Sequence, residues 1–169
     1  MIAHLSGTLL AKQATSVILD VQGVGYEVTI PVTTFYDMAD AGAQVSLRIY
    51  THVREDALQL FGFKTARERE LFMLLISVSG IGPKSAIAML SGMSADEIIA
   101  AIRTSNYARL TSAPGVGKKT AERLVIELRE TEIDELICKE LLKPETRNDT
   151  SAIIDALYAH LDHTLGSPS

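Results

Sequence analysis

The sequence predicts a multidomain α and β protein: an N-terminal five-stranded OB-fold β-barrel, a central all-α double helix-hairpin-helix domain, and a short C-terminal helical segment after a linker. Three observations carry this expectation. β-Branched runs with partial alternation fill residues 1–63. From residue 64 onward the apolar residues recur at helical spacing. Within that helical stretch the phrase SVSGIGPKSA, Ser77 to Ala86, returns 35 residues later as SAPGVGKKTA, Ser112 to Ala121.

The strands come first. IAHLSGTLLAK opens the chain, and Gly7 within it suggests a bulge. TSVILDVQ and GYEVTI follow, parted by a turn with Gly23 and Gly25 at its far side. PVTTFYDMADAG reads as a turn plus a short helix, and AQVSLRIYTHV and ALQLFGF complete the set. Five strands over 63 residues suit a small closed barrel. The pattern alone also fits another compact antiparallel sheet.

The helical part begins at a capping box. Thr65 and Glu68 have the S/T-x-x-E spacing in which hydroxyl and carboxylate each satisfy a backbone N–H of the first turn. Leu71, Leu74, Leu75 and Val78 then share one face, and Met73, Met89 and Met93 read as core. Pro83 follows the first glycine pair, where proline suits a first helical turn. Ser94 and Glu97 form a second capping box, and Asn106 can cap a short helix before the second glycine pair. The expected domains are 1–63 for the barrel, 64–137 for the tandem hairpins, 138–150 for a flexible linker and 151–169 for the C-terminal helix. That last helix places Ile153, Ile154, Leu157, Leu161 and Leu165 at near-helical spacing and is too short to stand alone.

Composition narrows the classes of function. A lone cysteine, Cys138, excludes an intramolecular disulfide and suits a reducing compartment. The N-terminus lacks a basic signal-peptide start, and LFMLLISVSGIG is too short for a membrane span, so a cytoplasmic protein is expected. The net charge of −5 is unevenly spread. Residues 1–63 carry three bases against six acids, residues 64–130 ten against seven, and residues 131–169 three against eight. The positive excess lies in the segment that holds the repeat, where a phosphate-binding surface would need it.

The repeated phrase has the chemistry of an anion site. Gly80 and Gly82, and again Gly115 and Gly117, free the backbone and leave no side chain to shield it. A helix starts at once, so unpaired N–H groups and the positive end of the helix dipole face outward. Lys84 with Ser85, and Lys118 and Lys119 with Thr120, stand just inside, and Arg123 lies one turn further. Phosphate is the natural guest. Neither copy is a nucleotide P-loop, because Ser112 stands at its first glycine and Lys119 where Ser or Thr belongs. Neither is a dinucleotide fingerprint, because Ser85 and Thr120 occupy the third glycine and no strand precedes. A glycine corner between two helices suits a nucleic-acid backbone instead, held without reading its sequence. The alternative for either copy is a tight turn between packed helices.

At these residues the chain resembles the RuvA family. The paired loops GIGPKSA and GVGKKTAERL behind a five-stranded barrel carry the likeness. MIAHLSGTL, GVGYEV, HVREDALQLFGF and LSGMSADE add to it over about residues 1–130. The resemblance implies a homotetramer, alone or paired around DNA, that binds four-way (Holliday) junctions and holds them open and planar for branch migration in recombination and repair. It implies a hexameric RuvB-type ATPase and a RuvC-type resolvase as partners. No cofactor, metal or catalytic residue is implied. Glu55 and Asp56, which by themselves read as a solvated turn, correspond to an acidic pin at the junction centre. Carboxylates gathered there would repel phosphates entering the crossover. Past residue 130 the likeness fades: the family's third domain is a bundle of about three helices, and this chain offers one, with Ile153, Leu157 and Leu161 as a candidate motor-docking face.

Two other classes compete. A helix-hairpin-helix glycosylase or nuclease would need a placed nucleophile or a carboxylate cluster, and the sequence presents neither. A protein-interaction module would use the glycine corners as packing turns. His4, His52, His160 and His163 do not make a metal set.

Overall fold

A computed structural model of the chain describes residues 1–128 and 133–136. The expected linker at 138–150, the C-terminal segment 151–169 and the face formed by Ile153, Leu157 and Leu161 lie outside the described residues. Strands β1 (His4–Lys12), β2 (Ser16–Val21), β3 (Val24–Thr29), β4 (Gln44–Val53) and β5 (Leu58–Phe63) close into a barrel in the order β1-β2-β3-β5-β4. Helix α1 (Val32–Asp37) bridges β3 and β4. The seam is the parallel contact of β3 with β5, registered at Thr29 opposite Phe61, while the other pairs are antiparallel.

Period-2 alternation points Leu5, Leu9, Val17, Leu19, Val28, Leu47 and Ile49 inward, where they form the barrel core with Ile30 and Leu60. The bulge falls elsewhere than expected. The register of β1 on β2 shifts between Leu9 and Ala11, which leaves Leu10 as the extra, exposed residue. Gly7 is instead a point of close approach: a Cβ there would run into the Asp20 carbonyl of β2.

The helical part comprises α2 (Ala66–Ser77), α3 (Pro83–Gly92), α4 (Ala95–Arg103), α5 (Tyr107–Thr111) and α6 (Lys118–Leu128), and residues 133–136 are helical. Local chemistry sets the starts. Both capping boxes form: Glu68 N–H donates to Thr65 Oγ1 at 3.2 Å and Glu97 N–H to Ser94 Oγ at 3.2 Å, with each carboxylate accepting in return. Asn106 caps α5 by accepting from Arg109 N–H at 3.1 Å, and Pro83 opens α3. The Ser94 backbone N–H, followed by the Arg109 guanidinium, holds the Glu97 carboxyl below the usual carboxylate range.

Leu71, Leu75 and Val78 enter the helical core as their spacing requires, and Phe72 joins them. Met89 and Met93 are buried, but Met73 is 37% exposed, a correction to its expected place in the core. α2 buries the stripe 71, 72 and 75, so position 73 faces outward.

The helical core reaches into the barrel, taking in Phe61 and Phe63 of β5, while the barrel keeps a separate core of its own. Phe72 of α2 packs with ring centroids 4.8 Å from Phe63, 5.4 Å from Phe61 and 5.4 Å from Tyr50, all on β4 and β5. Polar ties reinforce the contact. Arg69 Nε donates to the Ile49 carbonyl at 2.7 Å, Thr33 Oγ1 to the Leu90 carbonyl at 3.0 Å, and Val32 N–H to Ser91 Oγ at 3.0 Å. The hairpin corners are therefore carried on a body fixed to the barrel. Among the described residues no single helix is long and apolar enough to cross a membrane.

Candidate nucleic-acid interface

The two copies of the repeated phrase fold into the same corner. In the first, Val78 N–H donates to the Leu75 carbonyl at 3.2 Å, Ile81 N–H to the Val78 carbonyl at 3.1 Å, and Ala86 N–H to the Gly82 carbonyl at 3.1 Å. In the second, the matching bonds are Ala113 to Leu110 at 3.4 Å, Val116 to Ala113 at 3.2 Å, and Ala121 to Gly117 at 2.9 Å. Ile81 and Val116 are the buried plugs that pin each corner to the core. The shared serines have a structural use that the sequence reading missed. Ser77 Oγ donates to the Leu74 carbonyl and Ser112 Oγ to the Arg109 carbonyl, both at 2.6 Å, and so each finishes the preceding helix.

The glycines divide into two kinds. Gly80 and Gly115 have φ of +96° and +82°, a conformation that L side chains avoid. Gly82 is ordinary extended backbone, φ −93° and ψ 172°, and neither Gly82 nor Gly117 has anything within 4 Å of the position of a Cβ. The fold itself does not demand glycine at these two exposed positions. What glycine gives there is bare backbone in front of a helix start. The first intrahelical bonds are those of Ala86 and Ala121, so the first-turn amides of Lys84 and Ser85, and of Lys118, Lys119 and Thr120, point out of their helices unpaired. Pro83 removes from the first corner the amide that Lys118 supplies to the second.

The structure also sorts the cations of this segment. Arg67 pairs with Asp96 at 2.6 Å, Arg109 with Glu97 at 3.1 Å, Lys64 with Asp37 at 3.7 Å and Arg103 with Asp134 at 3.8 Å. Lys84, Lys118 and Lys119 are exposed and make no ion pair among the described residues. The unneutralised ammonium groups are thus the ones at the corners. The corners also touch. A Cβ on Gly80 would lie 3.7 Å from Thr120 Oγ1, and one on Gly115 would lie 2.9 Å from Ser85 Oγ. Each corner therefore rests against the hydroxyl residue of the other, and Arg123 Nη1 reaches across to the carbonyl and hydroxyl of Ser79, at 3.2 Å each. Such a pair of amide-lined, lysine-flanked corners can hold two phosphate groups of a nucleic-acid backbone.

Comparison with known proteins bears on the fold and the family. The model of the RuvA N terminal domain matches residues 1–62, and that of the SAM-like helix-hairpin-helix tandem matches residues 72–130. The Holliday junction branch migration complex subunit RuvA of Geobacter metallireducens is 58% identical over 130 residues, which cover 77% of this chain and 65% of that protein. The protein of the same name from Acidobacterium capsulatum is 55% identical over 137 residues, covering 81% of this chain and 69% of the relative. The chain belongs to the RuvA family. It spans about 65% of the length of the first RuvA relatives it matches.

In this chain Glu55 and Asp56 occupy the tip of the β4–β5 hairpin, closed by Arg54 N–H donating to the Ala57 carbonyl at 2.8 Å. Both acids are exposed. Arg54, the adjacent cation, is turned to His52, whose Nε2 accepts from Arg54 Nε at 3.1 Å. Neither carboxylate has an ion-pair partner among the described residues. Behind the tip the cross-strand pair Val53 and Leu58 is 68% and 63% exposed. Among the described residues no three His, Cys, Asp or Glu side chains converge as a metal site.

Proposed function

We propose that the chain binds four-way DNA junctions through their phosphates and serves as a non-catalytic scaffold for branch migration. The observation that carries this reading is the pair of touching corners, where exposed glycines, unpaired first-turn amides and unneutralised lysines coincide twice. Gly80, Gly82, Lys84 and Ser85 would hold one phosphate, and Gly115, Gly117, Lys118, Lys119 and Thr120 the other. The relatives' name, a subunit of a Holliday junction branch migration complex, supports the choice of substrate. In the proposed assembly residues 1–63 and 64–137 act as barrel and DNA-binding domains of a homotetramer. A hexameric RuvB-type ATPase supplies the motion, and a RuvC-type resolvase acts on the same junction. Ile153, Leu157 and Leu161 are the proposed contact to the motor.

Glu55 and Asp56 take the opposite role from the corners. Unpaired carboxylates at a projecting hairpin tip repel phosphates. Placed at the crossover, they would keep the four arms apart while the corners grip each duplex.

Gel-shift competition between a synthetic four-way junction and linear duplex of equal length tests the reading. The junction is expected to win clearly, and its affinity to fall with salt at about 0.9 log unit per log salt for each phosphate neutralised. Equal affinity for the two DNAs contradicts it. The double variant Glu55→Gln with Asp56→Asn is expected to keep junction binding, to tighten it by several-fold and to change the junction geometry read by fluorescence transfer between arms. Loss of binding in the folded double variant would refute the repulsive role.

A further inference from the structure

The two corners are built alike but stiffened differently. Position 114, just before Gly115, is proline, whose ring fixes its own φ. The equivalent position before Gly80 is Ser79, which has no such constraint. Across from Ser79 stands Arg123, whose Nη1 donates to both the Ser79 carbonyl and the Ser79 hydroxyl at 3.2 Å. The same nitrogen would lie 4.0 Å from a Cβ on Gly80. The residue equivalent to Arg123 in the first copy is Ala88, which cannot return the contact. One corner thus carries its stiffness in its own chain, and the other borrows it from a helix 44 residues away.

We propose that Arg123 is a positioning residue: it latches the first corner to α6 and sets the spacing between the two phosphate sites. The inference rests on the junction-binding reading above. Two sets of unpaired backbone amides held at fixed separation act as a bivalent grip, and a corner free to swing loses part of that gain on every binding event. An exposed lysine at position 123 would keep the positive charge but not the planar donor group that meets a carbonyl and a hydroxyl together. The Nε and Nη2 groups of Arg123 have no hydrogen-bond partner among the described residues, so a phosphate contact by the same side chain is compatible with the latch.

The test compares Arg123→Lys, Arg123→Ala and Ser79→Ala with the parent chain in two independent readouts. One is amide hydrogen exchange of residues 78–82 and 113–117 in the protein without DNA. The other is affinity for a synthetic four-way junction across a salt series. The latch predicts faster exchange at 78–82, with 113–117 unchanged, in both Arg123 variants. It predicts that Arg123→Lys loses about tenfold in affinity while its salt slope stays that of the parent. Ser79→Ala gives a smaller loss, and combining it with Arg123→Ala adds nothing to the loss from Arg123→Ala alone. Parent-like exchange and affinity in Arg123→Lys, with loss only in Arg123→Ala, would overturn the latch and leave a simple phosphate cation. A parent chain that binds no junction would refute the proposed function, while the exchange measurement would still decide the latch.

Discussion

Changing Gly82 and Gly117 together to alanine is expected to leave the protein folded and to weaken its binding to four-way junctions by about 100-fold or more. The two halves of that result have separate causes. Gly82 sits at φ −93° and ψ 172°, which alanine adopts freely, and a methyl at either site meets nothing within 4 Å. The cost in stability is that of a poorer helix cap, about 1 kcal/mol or less per site. The cost in binding is larger. The methyl projects into the open space before unpaired first-turn amides, where a phosphate oxygen must come within hydrogen-bonding distance. Hydrogen bonds to a charged group contribute about 1.5–3 kcal/mol each, and both corners lose theirs. Gly80 and Gly115 serve as the contrast. Alanine there strains a backbone at φ +96° or +82°, so stability falls along with binding. Chemical denaturation beside gel-shift titration separates the cases, and full affinity in the folded Gly82/Gly117 variant counts against backbone gripping.

The second large effect belongs to Phe72. Truncation to alanine is expected to cost about 3–5 kcal/mol, a large fraction of the 5–15 kcal/mol typical of a domain. The ring is fully buried and contacts Tyr50, Phe61 and Phe63, so its loss opens a cavity between barrel and helices. The barrel has a separate core of its own, and the rest of the helical core lies beyond the Phe72 contact. Urea unfolding of Phe72→Ala is therefore expected to start earlier and to divide into two steps, one for each part. Phe72→Leu, which keeps most of the volume, should retain a single transition. A single transition at the parent midpoint for Phe72→Ala contradicts the shared-core account.

What could be read from the sequence was what short-range chemistry decides. The capping boxes at Thr65 and Ser94 depend on three-residue spacing, and both formed. The hairpin corners depend on glycine before a helix start, and the duplication showed them twice. The barrel was legible from its alternating runs, but its closure was not, because β3 and β5 meet around a parallel pair, Thr29 with Phe61, far apart in the chain. Gly7 misled for the same reason. A glycine in a strand signals either a bulge or a close approach, and only the Asp20 backbone of the neighbouring strand decides which. Met73 misled because it is apolar, yet position 73 lies off the face of α2 that buries Leu71, Phe72 and Leu75. Within the candidate site, the contact of Arg123 with Ser79 spans 44 residues, and nothing local announces it. The division of the glycines into those the fold needs and those it does not also required backbone angles.

The most direct test of the central claim follows the backbone amides themselves. Nitrogen-15 spectra of the full chain, recorded while a synthetic four-way junction is added, report each amide separately. The account predicts that Gly82, Lys84 and Ser85 shift together with Gly117, Lys118, Lys119 and Thr120, at the same DNA concentration, as phosphates occupy both corners. Saturation of binding with these amides unmoved, or with one corner alone responding, would contradict it.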